Sequence, residues 1–84
     1  MSRYEVRYTA EAEHGLAALS AAVRGQVKTE IAARLGRDPY GHHSAPVGGD
    51  KDLRTANIGR FVIVRYRVHD GQLLVTVVRA VAPW

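Results

Sequence analysis

No cysteine occurs in the 84 residues, which removes both a disulfide framework and a thiolate zinc site and fits a cytoplasmic setting. Long apolar runs are missing too. No stretch approaches the ~18 apolar residues that a membrane-spanning helix needs, and the opening MSRYEVRYT alternates polar and apolar residues where a secretory leader would carry an apolar block. Together these absences predict a soluble intracellular protein with no membrane partner. Repeats and low-complexity segments are absent, and Gly48-Gly49-Asp50 lacks the strand-glycine-helix setting of a phosphate loop, so it reads as a turn. Acid is scarce in one place. From Leu53 onward Asp70 alone stands against Arg54, Arg60, Arg65, Arg67 and Arg79, so the whole net charge of +4 sits in that part of the chain.

What is present is most ordered from Arg60 to Ala82, RFVIVRYRVHDGQLLVTVVRAVA. Two runs dense in Val, Leu, Ile, Phe and Tyr flank Asp70-Gly71, a pair suited to a two-residue type I′ turn, which needs φ > 0 at both central positions. That turn predicts a hairpin with His69 opposite Gln72, Arg67 opposite Leu74, Arg65 opposite Thr76, Ile63 opposite Val78 and Phe61 opposite Ala80, all on one face. The other face would carry Val62, Val64, Tyr66, Val68, Leu73, Val75, Val77 and Val81 as core. The first face is basic. A basic sheet implies an acidic partner, either nucleic acid or an acidic protein segment, with weak binding that fades as salt rises.

Earlier in the chain, R-Y-E-V-R-Y from Arg3 to Tyr8 has the two-residue period of a half-buried strand. Thr9 then suits a helix N-cap, with Glu11 and Glu13 at the dipole's positive end, and Ala12, Leu16 and Leu19 form the inward stripe; Gly15 weakens this helix. Ser20 suits a second cap, before Val23, Val27, Ile31 and Leu35 at intervals of four. Gly36 stops that helix, and Pro39 keeps it from resuming. Residues 37–51, with two prolines, three glycines and the His42-His43 pair, read as a long loop without periodicity. Asp52 to Asn57 reads as a strand turned at Ile58-Gly59, which places Arg54 opposite Ile63 on the basic face; a three-residue turn would send it to the other side. The order is strand, helix, helix, strand, strand, strand, which predicts one α+β domain over residues 1–84, a two-helix hairpin on a four-stranded antiparallel sheet.

The N-terminal Y-E-V-R-Y-T-A-E-A, the L-x-x-L at Leu16 to Leu19, the R-D-P at Arg37 to Pro39, Leu53-Arg54, Ile58-Gly59 and the Y-R-V-H-D-G before a valine-rich last strand together resemble the RelE/ParE toxin superfamily. The resemblance implies a small toxin, encoded beside an antitoxin that neutralises it. RelE-like members cleave mRNA in the ribosomal A site, and ParE-like members poison DNA gyrase without being nucleases. It implies Arg54 as a catalytic residue, with antitoxin, ribosome and mRNA as partners and no cofactor, and the basic sheet face adds Arg54, Arg60, Arg65, Arg67 and His69 as contacts for RNA or antitoxin. Other family positions are not matched. Phe61 stands where the family has its key arginine, Arg60 comes one residue too early, Asp52 and Ala56 replace further basic residues, and Ala82-Pro83-Trp84 takes the place of the family's terminal acid or base. The ribosome-dependent mRNA endonuclease reading is therefore open, beside a gyrase inhibitor or a catalytically inactive binding module on the same fold.

Other residues invite a sharper reading that the bland one outweighs. His42-His43 with Asp38 or Asp50 lacks a rigid third metal ligand, so no metal is expected. Tyr40 could donate a proton but is expected to pack over the helix end. His69 reads as flanking a turn, and Trp84 as a packing plug.

Overall fold

A computed structural model describes residues 3–41, 44–59 and 62–81. The elements run β1 (Glu5–Tyr8), α1 (Ala10–Ala17), α2 (Ala21–Leu35), β2 (Ser44–Val47), β3 (Asp50–Ile58), β4 (Val62–His69) and β5 (Leu74–Val81), with a short 3-10 turn, Asp70–Gln72, before β5. The sheet order is β1-β5-β4-β3-β2; β1 lies parallel to β5, and the other pairs are antiparallel. The α+β arrangement of two helices on one sheet is the expected one, but the sheet is not wholly antiparallel as expected, because β1 joins β5 in parallel. A fifth strand, β2, comes from the segment read as loop. Its signal is faint because Pro46 interrupts it, and proline is tolerated there because β2 is an edge strand. Gly48, at φ 61°, makes the turn into β3.

Both helices start where their caps predict. The Thr9 hydroxyl accepts from the Ala12 amide at 3.1 Å and that of Ser20 from Val23 at 3.3 Å. Leu16 and Ala12 from α1, Val27, Ile31 and Leu35 from α2, and Val62, Val64, Tyr66, Val68, Val75 and Val77 from the hairpin close one core between helices and sheet. The fully buried Tyr66 donates its hydroxyl to the Pro39 carbonyl at 2.6 Å, so its polar end does not go unsatisfied.

The hairpin's register differs from the expected one. His69 pairs with Leu74 and Arg67 with Thr76, so the connection has four residues, and Leu73 takes the left-handed conformation at φ 50°. A shift of two preserves which face each β4 residue occupies, so the valines and Tyr66 are inward as expected. Leu73, assigned to the core, is instead in the connection and 41% exposed. A second departure is a β-bulge. Tyr66 pairs with Val77 but Arg65 with Arg79, leaving Val78 as the extra residue. Beyond it the alternation inverts, so Ala80 is buried and Val81 exposed, the reverse of the expectation.

Two features of α1 sit behind that bulge. The Thr9 amide donates to the Val77 carbonyl at 2.9 Å and the Thr9 hydroxyl to the Val78 carbonyl at 2.9 Å. A β-carbon at Gly15 would overlap the Ala80 carbonyl oxygen. Gly15, which looks in sequence like a flaw in the helix, is what lets α1 lie directly on β5. We therefore expect Gly15→Ala to destabilise by about 1 to 3 kcal/mol through forced separation of α1 from β5, against a gain of up to about 1 kcal/mol in helix propensity. Urea unfolding measures this, and an unchanged or raised midpoint would show that α1 is not closely seated.

Candidate nucleic-acid and partner interface

The sheet face away from the helices is built by alternation. Arg65, Arg67 and His69 come to it from β4, Thr76 and Arg79 from β5, Leu53 and Thr55 from β3, and Glu5 and Arg7 from β1. Arg65 and Arg79 are exposed, and Arg67 and His69 half-buried. Arg67 donates to the Asp50 carboxylate at 3.1 Å, and Arg7 pairs with Glu5. The Asp52 backbone amide and the Arg67 guanidinium together hold the Asp50 carboxyl below its ordinary range. His69 Nε2 lies 3.3 Å from the Thr76 hydroxyl across the strands. No described acid comes within ion-pair distance of Arg65 or Arg79.

Arg54 is not on this face. Ile58 pairs with Val62, so three residues separate the strands, and Arg54 falls opposite Tyr66 on the helix side of the sheet. Its expected place opposite Ile63 belongs to Asn57. There it donates Nε to the Ser44 hydroxyl at 2.9 Å, Nη1 to the Lys51 carbonyl at 3.0 Å and Nη2 to the Ser44 carbonyl at 3.4 Å, and its guanidinium lies 5.6 Å from the Tyr40 ring centroid. All three acceptors are neutral and belong to β2 or the start of β3. The geometry makes Arg54 a clip that holds the edge strand, and it corrects the assignment of this residue to the basic face. Arg60, Phe61, His42, His43 and Trp84 lie outside the described residues.

Tyr40 packs against the core, and its hydroxyl donates to Asp52 at 2.6 Å. That bond, then burial, raises the Tyr40 pKa, and the same bond, then Lys51, lowers that of Asp52. Tyr4 donates to Asp70 in the same way and is raised chiefly by it. Burial, with the charge of Glu13, pushes Tyr8 up to about 12. A hollow of about 330 Å³, lined by Arg34, Arg37, Asp38, Ser44, Ala56 and Tyr66 among others, opens between the end of α2 and β3. It lies on the helix side. The basic face offers a surface suited to an extended polymer or another protein, with a hollow of about 320 Å³ at its β1 edge among Glu5, Arg7, Gln72 and Leu74.

Sequence reasoning found Arg65, Arg67 and His69 but missed Arg79 as a member of the face. Strict alternation through β5 would turn it inward, and only the bulge turns it out. A run such as VVRAV carries no marker for that event.

No family model matches the sequence, and no curated protein does so significantly. Solved structures do match, and they place the chain in a fold class first: it carries the RelE/ParE-type toxin fold. A chain of the toxin-antitoxin complex RelBE2 from Mycobacterium tuberculosis is 26% identical, with a TM-score of 0.78 over 95% of this chain and 98% of that one. The isolated RelE toxin of E. coli superposes with a TM-score of 0.73 at 20% identity, over 94% and 83% of the two chains. A YoeB/ParE toxin from Agrobacterium tumefaciens gives 0.68 at 16%, over 95% and 99%.

Two predictions follow from the site. Arg54→Ala should destabilise by about 1 to 3 kcal/mol, since charge-assisted hydrogen bonds to β2 are lost; a urea-melt change below ~0.5 kcal/mol would show that the guanidinium does not hold the strand. The tyrosines, raised in the fold, contribute stability that is complete below about pH 10 and lost as pH climbs through their folded values. Asp50 and Asp52, lowered in the fold, contribute stability that is present above about pH 4 and lost as pH falls through their folded values. Melting temperature against pH should thus be a plateau with two falling limbs, and Asp52→Asn should flatten the acid one. An unaltered acid limb in that variant would remove Asp52 from the account.

Proposed function

We propose that this chain is the toxin of a type II toxin-antitoxin pair, acting on the ribosome and mRNA and neutralised by a cognate antitoxin. The observation that supports this most is the end-to-end likeness to a chain of the RelBE2 toxin-antitoxin complex. The basic outer face supplies a surface of the right sign for an acidic antitoxin segment or for RNA, and the two would compete for it.

Within that reading, the geometry favours binding over cutting. Cleavage through a 2′-hydroxyl needs a base, a stabiliser of the phosphorane and an acid. Arginines of the outer face can serve the second need only. Arg54 is engaged on the other side of the sheet, and His69, the one described imidazole on this face, is tied to Thr76. Losing a single preorganised charge costs about 10²- to 10³-fold in rate in such reactions, so an inhibitor that occupies its target is the better-supported mechanism.

Induced expression should arrest growth, and co-expression of a small acidic protein encoded beside it should restore growth and co-purify. In a cell-free system, stoichiometric protein should slow translation without discrete A-site cuts in primer extension. Cuts that vanish in Arg54→Ala would reinstate the nuclease, and inhibition of gyrase supercoiling at the same concentration would move the target to gyrase. The absence of both growth arrest and any effect on translation would overturn the toxin reading.

A further inference from the structure

The β5 bulge sets two arginines against each other. Residues directly opposite in an antiparallel pair have β-carbons about 5 Å apart, and like charges in that position are destabilising. Arg65 and Arg79 occupy such a position, both exposed. The acids that share or border the face are engaged elsewhere, Glu5 by Arg7 and Asp50 by Arg67. Thr55 lies opposite Arg65 on the other side, so the row across the sheet reads Thr55, Arg65, Arg79. Without the extra residue Val78, Arg79 would turn under α1 and Ala80 would take its place outside. The bulge is not loose: two bonds from Thr9 hold its carbonyls, and Gly15 leaves room for the chain beyond it. The fold thus maintains a repulsive pair with specific contacts from behind, and bulges recur where a side chain is re-aimed at a functional site.

We propose that Arg65 and Arg79 form a clamp for a phosphoryl oxyanion, one guanidinium approaching from each strand, with the Thr55 hydroxyl as a further donor. A planar carboxylate offers both its oxygens to one bidentate arginine and meets a second only through their remaining lone pairs. A tetrahedral phosphoryl group presents oxygens to two forks at once, and each fork matches two of them. The repulsion between the guanidiniums is relieved when the anion binds, which makes the empty site the strained state. This goes beyond the toxin reading and stands on the bulge alone; the clamp holds whatever the target of the toxin is, and either can fail without the other.

The test measures binding of a fluorescein-labelled single-stranded RNA of about 12 nucleotides, and of DNA of the same sequence, to the full chain between roughly 50 and 200 mM salt, with inorganic pyrophosphate as competitor. Arg65→Gln and Arg79→Gln should each weaken RNA binding about 10-fold or more, as expected for a charge-assisted bond. The double variant should be little worse than either, because the two act on one group. Arg37→Gln removes the same charge from an exposed site at the end of α2 and should change affinity less than about 2-fold if the clamp is specific. Arg79→Lys keeps the charge and loses the fork, so it should bind nearly as poorly as Arg79→Gln. Relief of repulsion should leave Tm of Arg79→Gln equal to that of the parent or roughly 1 to 4 °C higher, which also reports that the variant folds. Equal losses on RNA and DNA identify the backbone phosphate as the ligand, and loss on RNA alone identifies a ribose-dependent site; either supports the clamp. An Arg37→Gln loss as large as the others, full binding by Arg79→Lys, or displacement of RNA by polyglutamate but not by pyrophosphate would overturn it.

Discussion

The seating of α1 against β5 is the constraint on which most of this molecule depends. Thr9 ends β1 and caps α1, and it also binds the Val77 and Val78 carbonyls. Gly15, two turns later at most, removes the side chain that would collide with Ala80. Between them these residues set the helix's height above the sheet, and with it the depth at which Leu16 and Ala12 fill the core. They also hold the bulge. One local packing solution therefore serves stability on the inner face and the charge arrangement on the outer one, and the two cannot be altered independently.

The inner face is conventional in its physics. Apolar side chains from both helices meet alternate residues of three strands, and the Tyr66 and Tyr40 hydroxyls that reach this side find acceptors at 2.6 Å. The sheet's edges differ in how they are secured. β1 is joined to the body by its parallel pairing with β5 and by the Arg3 and Tyr4 amides, which bond to the Gly36 carbonyl. β2 is short, contains Pro46, and relies on Arg54 reaching back from β3. An arginine that would be a catalytic candidate by motif thus supports an edge strand by geometry. Type and spacing alone cannot separate those roles, because both need a cation beside a turn.

The outer face shows how charge is distributed when ion pairing is incomplete. Arg7 and Arg67 have carboxylate partners, and exposed pairs of that kind contribute at most about 1 kcal/mol each. Arg65 and Arg79 have none among the described residues, so their positive potential is available to a ligand. A protein that binds its target through this surface gains its selectivity from where the unpaired cations stand, more than from how many there are.

The chain's own text determined the helix caps at Thr9 and Ser20, the inward stripes of both helices, the facing of β4 and β1, and the basic character of one sheet face. These are period and composition effects that a few neighbouring residues decide. Even the fold class followed, because the order of such segments leaves few ways to cover one sheet face with two helices. Tertiary structure alone decided four things: the register of the hairpin, the fifth strand, the side on which Arg54 lies, and the juxtaposition of Arg65 with Arg79. The last two each depend on a single residue more in a turn or strand. In a pleated sheet with a period of two, one inserted residue reverses every side chain beyond it, and whether the insertion is tolerated is settled by contacts such as Thr9 with Val78, which lie 69 positions apart in sequence.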